Sequence, residues 1–231
     1  MKFSTKLAMS FSCPLLLASI ALAQQDYIGR YDVYAGYMYL SSPIINLGES
    51  GFHTQIGTNP AKWYSLGFDF SEGSGATTLT TSMLKASLRQ EIAAQLSAVG
   101  LPASYEPVVP MHSQSETYAI GPQLNYRRLR KATLFFHPDL GAIHETAIPH
   151  PTDIISKLLV QQLAPSGTKV DWTPFYGFGG GVDLNVTHHF GVRLQADFVR
   201  DHLFSDLLNA RNTVRFSLGP TFHLGKNIVA H

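Results

Sequence analysis

Few residues of this chain have the types and spacing that metal or cofactor chemistry requires. His188 and His189 are adjacent and could supply two imidazole ligands to a metal ion. They lie in a short polar turn, however, and neighbouring side chains of an extended chain point to opposite faces. The glycine-rich run at 177–181 has no helix pattern after it that could hold a phosphate. We therefore expect no metal site, no cofactor and no catalytic set.

Six charged residues stand out by their position. Each lies within a segment in which apolar residues alternate with small or polar ones, and each is on the small or polar side. They are Asp69, Asp139, Asp183, Arg193, Asp197 and Arg215. A charge removed from water needs a partner of opposite sign. We expect Arg193 and Arg215 to pair with Asp183 or Asp197 inside a common interior, in a structural rather than a catalytic role.

The elements that must position these charges are predicted to be β-strands. In the segment 213–224 every second residue from Val214 to Leu224 is apolar, and the residues between them are polar or small. This period of two is typical of a strand. The same pattern predicts eight strands in all, at 31–40, 52–58, 64–71, 117–127, 134–141, 176–186, 192–198 and 213–224.

Composition and connection lengths favour a membrane barrel over a soluble sheet. Only 14% of the residues are charged, against roughly 25% in typical soluble domains, and glycine dominates the polar faces. Small residues and opposite charges suit the narrow interior of about eight strands, while the apolar faces would meet lipid. Long connections alternate with short turns, as in such barrels. We predict an all-β fold, an eight-stranded antiparallel transmembrane β-barrel.

Two of the long connections are predicted to contain short helices. Between 82 and 100 the apolar residues recur at steps of three and four, and a glycine and a proline follow. A second, shorter apolar pattern spans 152–163. We expect both helices in long external loops. Their apolar stripes either pack on each other or over the barrel mouth, or they form an exposed surface for a ligand or partner.

The first 23 residues have the features of an export signal. Lys2 and Lys6 precede a short apolar core, and the small residues Ala21 and Ala23 fit a cleavage site. We expect a signal peptide at 1–23 and an outer-membrane β-barrel domain at 24–231. Cys13 would leave with the peptide, so the mature domain would contain no cysteine. The formal net charge of +1 also gives no reason to expect a nucleic-acid partner.

The ordered set of strand motifs resembles one family. The segments are 31–40 (YDVYAGYMYL), 121–127 (GPQLNYR), 179–185 (GGGVDLN), 193–198 (RLQADF) and 212–222 (NTVRFSLGPTF). Together they are similar to the small outer-membrane β-barrel domain of the OmpA/OmpX type. The chain departs from that pattern in its large helical loops and in a tail, 225–231, that does not end on an aromatic residue. Phe222 could serve in its place as the signal for insertion.

This resemblance implies a bacterial outer-membrane protein with a structural or surface-interaction role, in contact with outer-membrane lipids and monomeric. A surface ligand could bind the external loops. Three alternatives remain: a narrow passive pore, a secreted soluble barrel that binds an apolar ligand, and an outer-membrane lipid-modifying enzyme. His202 and Ser205 resemble the His and Ser of outer-membrane lipid A deacylases, but two residues separate them where the family has one. We therefore expect no enzyme activity.

Overall fold

A computed structural model describes residues 25–102 and 104–229 as one closed antiparallel barrel of eight strands. Each strand pairs with the next in sequence, and the last pairs with the first. The strands are β1 Tyr31–Ser42, β2 Leu47–Ala61, β3 Tyr64–Thr80, β4 Val108–Leu129, β5 Ala132–Pro149, β6 Lys169–Asn185, β7 Phe190–Asp201 and β8 Arg211–Leu224. The predicted fold class is confirmed. The predicted signal peptide at 1–23 lies outside the described residues.

The two faces of the strands have the orientation that the alternation predicts. On β8, Phe216 and Leu218 are 54% and 51% exposed on the outside of the barrel, whereas Arg215 and Ser217 are buried inside it. The other strands follow the same rule. The polar faces therefore line the interior, and the apolar faces form the outer surface.

The short turns and the long connections lie at opposite ends of the barrel. Residues 62–63, 130–131 and 186–189 form the short turns, and we call this the short-turn end. The loops 81–107, 150–168 and 202–210 lie at the other end, which we call the long-loop end. Because consecutive strands are antiparallel, successive connections alternate between the two ends, so every second connection lies at the same end.

One connection at the long-loop end differs from the prediction. The sequence pattern predicts a long loop between the first two strands, but β1 and β2 stay paired until Ser42 faces Leu47. A single 3-10 turn, Pro43–Ile45, joins them, and Asn46 adopts a left-handed conformation with φ 47°. The strands extend this far because inward polar residues such as Glu49 find partners inside the barrel. A search for alternating apolar residues does not detect polar residues that are stabilised by partners on other strands.

Two α-helices occupy the long loops, as predicted. They are α1 Ala86–Ala98 and α2 Ile154–Leu163. Asp153 caps α2: its carboxylate accepts a hydrogen bond from the backbone N–H of Ser156 at 2.9 Å, which lowers the pKa of Asp153. Among the described residues, neither helix nor any other helical segment has the length and apolar content of a membrane span.

The apolar core of the molecule lies at the long-loop end, where it closes the barrel mouth. We call this cluster the apolar plug. It joins side chains of both helices and of loop 202–210 to inward-facing strand residues. Its buried members are Ile45, Leu47, Leu84, Ile92, Leu96, Ala119, Ile143, Ala147, Leu159, Phe175, Val199, Leu203, Phe204 and Leu208. The helices thus pack over the mouth, the first of the two alternatives for their apolar stripes.

The opposite end is closed by polar contacts. Gln25 donates hydrogen bonds to the backbone carbonyls of Leu129 and Ala132, each at 3.1 Å, and to the Thr133 hydroxyl. Beyond β8, the side chain of Asn227 accepts from the backbone N–H of Ile28 at 3.0 Å. The segments that precede β1 and follow β8 therefore hold each other across the short-turn end.

The packing of α1 on the apolar plug predicts that mutations of its buried residues lower local stability more than mutations of its exposed residues. Ile92→Ala removes a side chain that is 1% exposed and should cost about 2–5 kcal/mol of local stability, because it leaves a cavity under the helix. Amide hydrogen exchange of α1 should accelerate more than tenfold, while that of the strands changes little.

Val99→Ala provides the matched control, because Val99 follows the same helix and is 67% exposed. Its exchange rates should stay near those of the parent protein. Equal acceleration in both variants would mean that α1 is not held by its buried face.

Candidate functional site

All six predicted charges lie inside the barrel, and none is more than 4% exposed. Strand register places four of them in directly opposite pairs. Asp197 on β7 is directly opposite Arg215 on β8, and Asp183 on β6 is directly opposite Arg193 on β7. The interior is narrow, so side chains from strands across the barrel also meet. We call this set of buried charged and polar side chains the interior network.

Arg215 lies at the centre of the interior network. Its Nε donates to Asp197 at 2.8 Å, and its Nη1 donates to Asp69 at 3.0 Å and to the Ser71 hydroxyl at 2.9 Å. Asp69 comes from β3, on the other side of the interior. One guanidinium therefore links three strands and neutralises two carboxylates.

Arg193 forms a separate ion pair, nearer to the short-turn end of the barrel. Its Nε and Nη2 donate to the two oxygens of Asp183 at 2.6 and 2.8 Å, a bidentate arrangement. The rings of Phe135 and Tyr34 lie over the guanidinium, with centroids 4.5 and 5.5 Å away. Because the register places Asp183 opposite Arg193 and Asp197 opposite Arg215, Arg215 pairs with Asp197 and not with Asp183.

Two buried histidines extend the network around Arg215. His53 Nδ1 lies 2.9 Å from the Ser217 hydroxyl, and its Nε2 contacts the Asp69 carboxylate. His137 Nδ1 lies 2.8 Å from Asp139. Both histidines lie on inward faces in the sequence pattern, but alternation alone cannot show which carboxylate each one meets.

The sequence analysis missed a second charged layer near the long-loop end. Arg211 donates to Glu145 at 2.6 Å and to Asp201 at 3.0 Å. Arg211 precedes Arg215 by four residues, and Asp201 follows Asp197 by four. Because every second residue of a strand points to the same face, Arg211 and Asp201 also point inward. They were missed because the predicted strands ended too early.

A third layer closes the interior near the short-turn end. Asp32 accepts from Asn59 at 2.7 Å, lies 2.7 Å from His223 Nδ1, and pairs with Arg127 at 3.5 Å. In total, eight carboxylates and four arginines are buried among the described residues. The interior therefore carries an excess of negative charge unless cations or protons balance it.

The interior is filled rather than open. Beside Arg193 a cavity of about 10 Å³ remains, which holds about one water molecule. The apolar plug lies on the long-loop side of the interior network. On its short-turn side a cavity of about 330 Å³ reaches Arg127 and His223. In chemical terms the network provides ion pairing and packing.

The weaker sequence candidates are not assembled into sites. His202 and Ser205 both lie exposed in loop 202–210, and among the described residues no hydrogen bond joins their side chains. His188 and His189 both pack on Tyr27, with ring centroids 5.9 and 4.6 Å away. The imidazoles are therefore engaged in aromatic contacts at the short-turn end.

The outer surface of the barrel carries a continuous set of large apolar side chains. Their positions alternate with those of the interior network along every strand. Members that are at least 38% exposed include Tyr37, Phe52, Ile56, Leu66, Phe68, Ile120, Leu124, Leu134, Phe136, Leu140, Phe178, Leu184, Leu194, Phe198, Phe216, Leu218 and Phe222. We call this surface the apolar belt. Monomeric soluble proteins rarely expose an apolar surface of this extent.

Comparison with known proteins identifies the fold. No protein-family profile matches the chain, and no curated protein is similar to it in sequence. Neisserial surface protein A (NspA) has a similar structure, with a TM-score of 0.52 and 9% identity over 84% of this chain and 96% of that chain. This likeness shows the fold, that of a small eight-stranded barrel.

Two further solved structures have lower scores. OprG, an outer membrane protein of Pseudomonas aeruginosa, gives a TM-score of 0.49 with 8% identity, over 88% of this chain and all of that chain. Ail, the attachment invasion locus protein of Yersinia pestis, was crystallised with the heparin analogue sucrose octasulfate. It gives 0.48 with 12% identity over 84% of this chain and 98% of that chain.

The pairing around Arg215 predicts a specific pattern of coupling. Arg215→Met should lower the free energy of unfolding by about 3–5 kcal/mol, because it leaves buried carboxylates without their counter-charge. Adding Asp197→Leu should recover part of that loss. The measurement is a double-mutant cycle of urea unfolding in detergent micelles.

Asp183→Leu is the control for this cycle, because Asp183 pairs with Arg193. Its effect should add to that of Arg215→Met without recovery. Strict additivity for Arg215 and Asp197 as well would mean that the two are not coupled.

Proposed function

We propose that this chain is a bacterial outer-membrane β-barrel that spans the membrane and has a structural or surface-interaction role without catalysis. The observation that carries the proposal is the inverted distribution of side chains. Charged residues fill the interior, and large apolar residues cover the outside of a closed barrel. Only an apolar solvent makes this arrangement favourable, and a closed barrel leaves no unpaired strand edge in lipid.

The height of the apolar belt supports a membrane span. On β6, exposed Trp172 lies near the long-loop end and exposed Leu184 near the short-turn end. Twelve residues of strand rise about 40 Å, which is about 30 Å along the axis of a barrel whose strands tilt by about 40°. This matches the hydrocarbon thickness of roughly 30 Å. Trp63, which is 63% exposed in a short turn, suits the opposite interface.

The difference in loop length between the two ends of the barrel supports one orientation of the barrel in the membrane. Barrels of this kind place short turns in the periplasm and long loops outside the cell. In this orientation the helices α1 and α2 face the surroundings of the cell. Residues 1–23 are the proposed export signal, and 24–231 the mature domain.

The external face offers a surface for interaction. Ile154 and Leu158 on α2 are 75% and 58% exposed, on the side of the helix that turns away from the apolar plug. These apolar side chains contribute nothing to the core. Together with the loops around them they support a role in surface contact, in which the barrel acts as the rigid scaffold.

The other functions considered from the sequence are less well supported. A passive pore needs an open path, and the filled interior with its apolar plug argues against it. A soluble ligand-binding barrel needs apolar residues inside, and here they are outside. The separate positions of His202 and Ser205 give no support to a lipid-modifying enzyme.

The direct test is the solvent requirement of the folded domain. The refolded domain 24–231 should remain monomeric and folded in detergent or lipid and should aggregate when the detergent is removed. A folded monomer that persists in detergent-free buffer would overturn the membrane assignment.

Charges introduced on the apolar belt should have an effect that depends on depth. Leu218→Arg lies near the middle of the proposed span and should cost about 2–4 kcal/mol of stability in phospholipid vesicles. Leu224→Arg, on the same face but at the end of β8, should cost about 0–1 kcal/mol because it lies near the interface. Equal losses in urea titrations of the two variants would contradict a bilayer around the belt.

The proposed orientation can be tested by labelling single cysteines, since the mature domain has none. Ser166→Cys in loop 150–168 should react with a membrane-impermeant maleimide on intact cells. Lys131→Cys in a short turn should react only after the outer membrane is permeabilised. Both residues are exposed, so burial does not account for the difference. The reverse pattern would invert the topology.

A further inference from the structure

We propose that the short-turn end of the barrel contains a binding site for an oxyanion, the phosphate or carboxylate group of a small molecule or of a lipid headgroup. The site is a cavity of about 330 Å³, and its lining includes Arg127, Arg130 and Lys131. Ligand-binding pockets in proteins commonly have volumes of about 300–1,000 Å³. The cavity therefore has room for a small organic anion, unlike the cavity of about 10 Å³ beside Arg193.

Three segments that are distant in the sequence form the walls of this cavity. Gln25 donates hydrogen bonds to two backbone carbonyls that flank the turn 130–131, so the segment before β1 lies beside that turn. The ring of Tyr27 stacks on that of His188, with centroids 5.9 Å apart, which places the same segment beside the turn 186–189. The walls are therefore fixed by specific contacts, and the cavity is part of the fold.

Arg127 has hydrogen-bonding capacity that the protein does not use. It is 8% exposed, and its Nε makes no hydrogen bond among the described residues. Its Nη2 donates to Asn59 at 3.0 Å but lies 3.5 Å from the Asp32 carboxylate. That carboxylate is already engaged by Asn59 and His223, each at 2.7 Å. A buried donor without a partner is rare and calls for a bound group or a water molecule.

The charges that line the cavity favour an anion. Arg127, Arg130 and Lys131 are cationic, and the one acidic side chain in the lining is that of Asp26. Even when Asp32 is counted against Arg127, the lining keeps a net positive charge. A guanidinium binds phosphate or carboxylate oxygens through two parallel hydrogen bonds, and a lysine adds a point charge. The lining therefore has the groups that recognise an oxyanion.

The excess of positive charge extends over the whole short-turn end. Among the described residues, the only exposed acidic side chain at this end is that of Asp26. The exposed cationic side chains there are Arg30, Lys62, Arg128, Arg130, Lys131 and Lys226. The formal net charge of the whole chain, +1, conceals this uneven distribution. A surface with one sign of charge raises the local concentration of ions of the opposite sign.

The position of the three cations limits the size of the ligand. Arg130 and Lys131 are exposed, whereas Arg127 is buried, so an anion that approaches all three must enter the cavity. A free small anion and the headgroup of a phospholipid both present such an oxyanion. In the orientation proposed above the cavity opens to the periplasm, and this placement alone rests on the proposed function.

The test uses the mature domain 24–231 refolded in a non-ionic detergent, with inorganic phosphate and citrate as probes. Binding is measured by isothermal titration calorimetry at about 0.15 M NaCl, where exposed charges more than about 8 Å apart are largely screened. We expect at least one of the two probes to bind at a single saturable site.

Two matched double variants assign the binding to the cavity. Arg130→Gln combined with Lys131→Gln should weaken the affinity about tenfold or more, because charge-assisted hydrogen bonds to the probe are lost. Arg128→Gln combined with Lys62→Gln removes the same two residue types from the same end, but neither residue lines the cavity. Its affinity should stay within about twofold of the parent value. All four side chains are exposed, so both variants should fold.

Two further ligands distinguish the sources of the oxyanion. Bound probe is displaced with glycerol 3-phosphate, a free anion, and with a short-chain phosphatidylglycerol, which presents a headgroup. Displacement by glycerol 3-phosphate at the lower concentration supports a free anion as the ligand. Displacement by the lipid at the lower concentration supports a headgroup.

Two results would overturn the proposal: a folded parent domain that binds neither phosphate nor citrate, or an equal loss of affinity in the two double variants. The first would mean that water alone fills the cavity. The second would mean that the general positive charge of the short-turn end attracts the anion without a defined site. Neither result bears on the membrane assignment, which the detergent requirement of the folded domain tests separately.

Discussion

Pairing of β8 with β1 is the constraint on which the rest of the structure depends. It removes both edges of the sheet, so the backbone groups of the strands are satisfied within the barrel. It also divides the side chains of every strand into an inner and an outer set. Because eight strands enclose a narrow interior, the inner set must be small, polar or mutually paired.

The interior network makes the register of the strands specific. A shift of one residue would move every inward charge of a strand to the outer surface and bring apolar residues inside. Asp69 and Arg215 are 146 positions apart in the chain, and their contact forms only when the register is correct around the barrel. Removing one partner of such a pair leaves an uncompensated buried charge, which is strongly destabilising.

The two ends of the barrel are closed by different interactions. The apolar plug joins both helices to the strand ends and keeps water from the interior, while polar contacts of Gln25 and Asn227 close the short-turn end. The charged side chains of the interior network are buried. In such an environment an unbalanced carboxylate is costly, so each carboxylate needs a counter-charge or a proton.

The sequence by itself determined which residues face inward and which face outward, because alternation with a period of two is a local property of each strand. It also determined the number of strands and the two loop helices. It could not determine the strand ends near Glu49 and Arg211, since polar residues there break the apolar pattern and are stabilised only by partners on distant strands. The tertiary structure alone decided which charges pair: Arg193 takes Asp183, Arg215 takes Asp197 and Asp69, and His137 meets two carboxylates. These contacts depend on register and on the closure of the sheet, and neither is encoded in the neighbours along the chain.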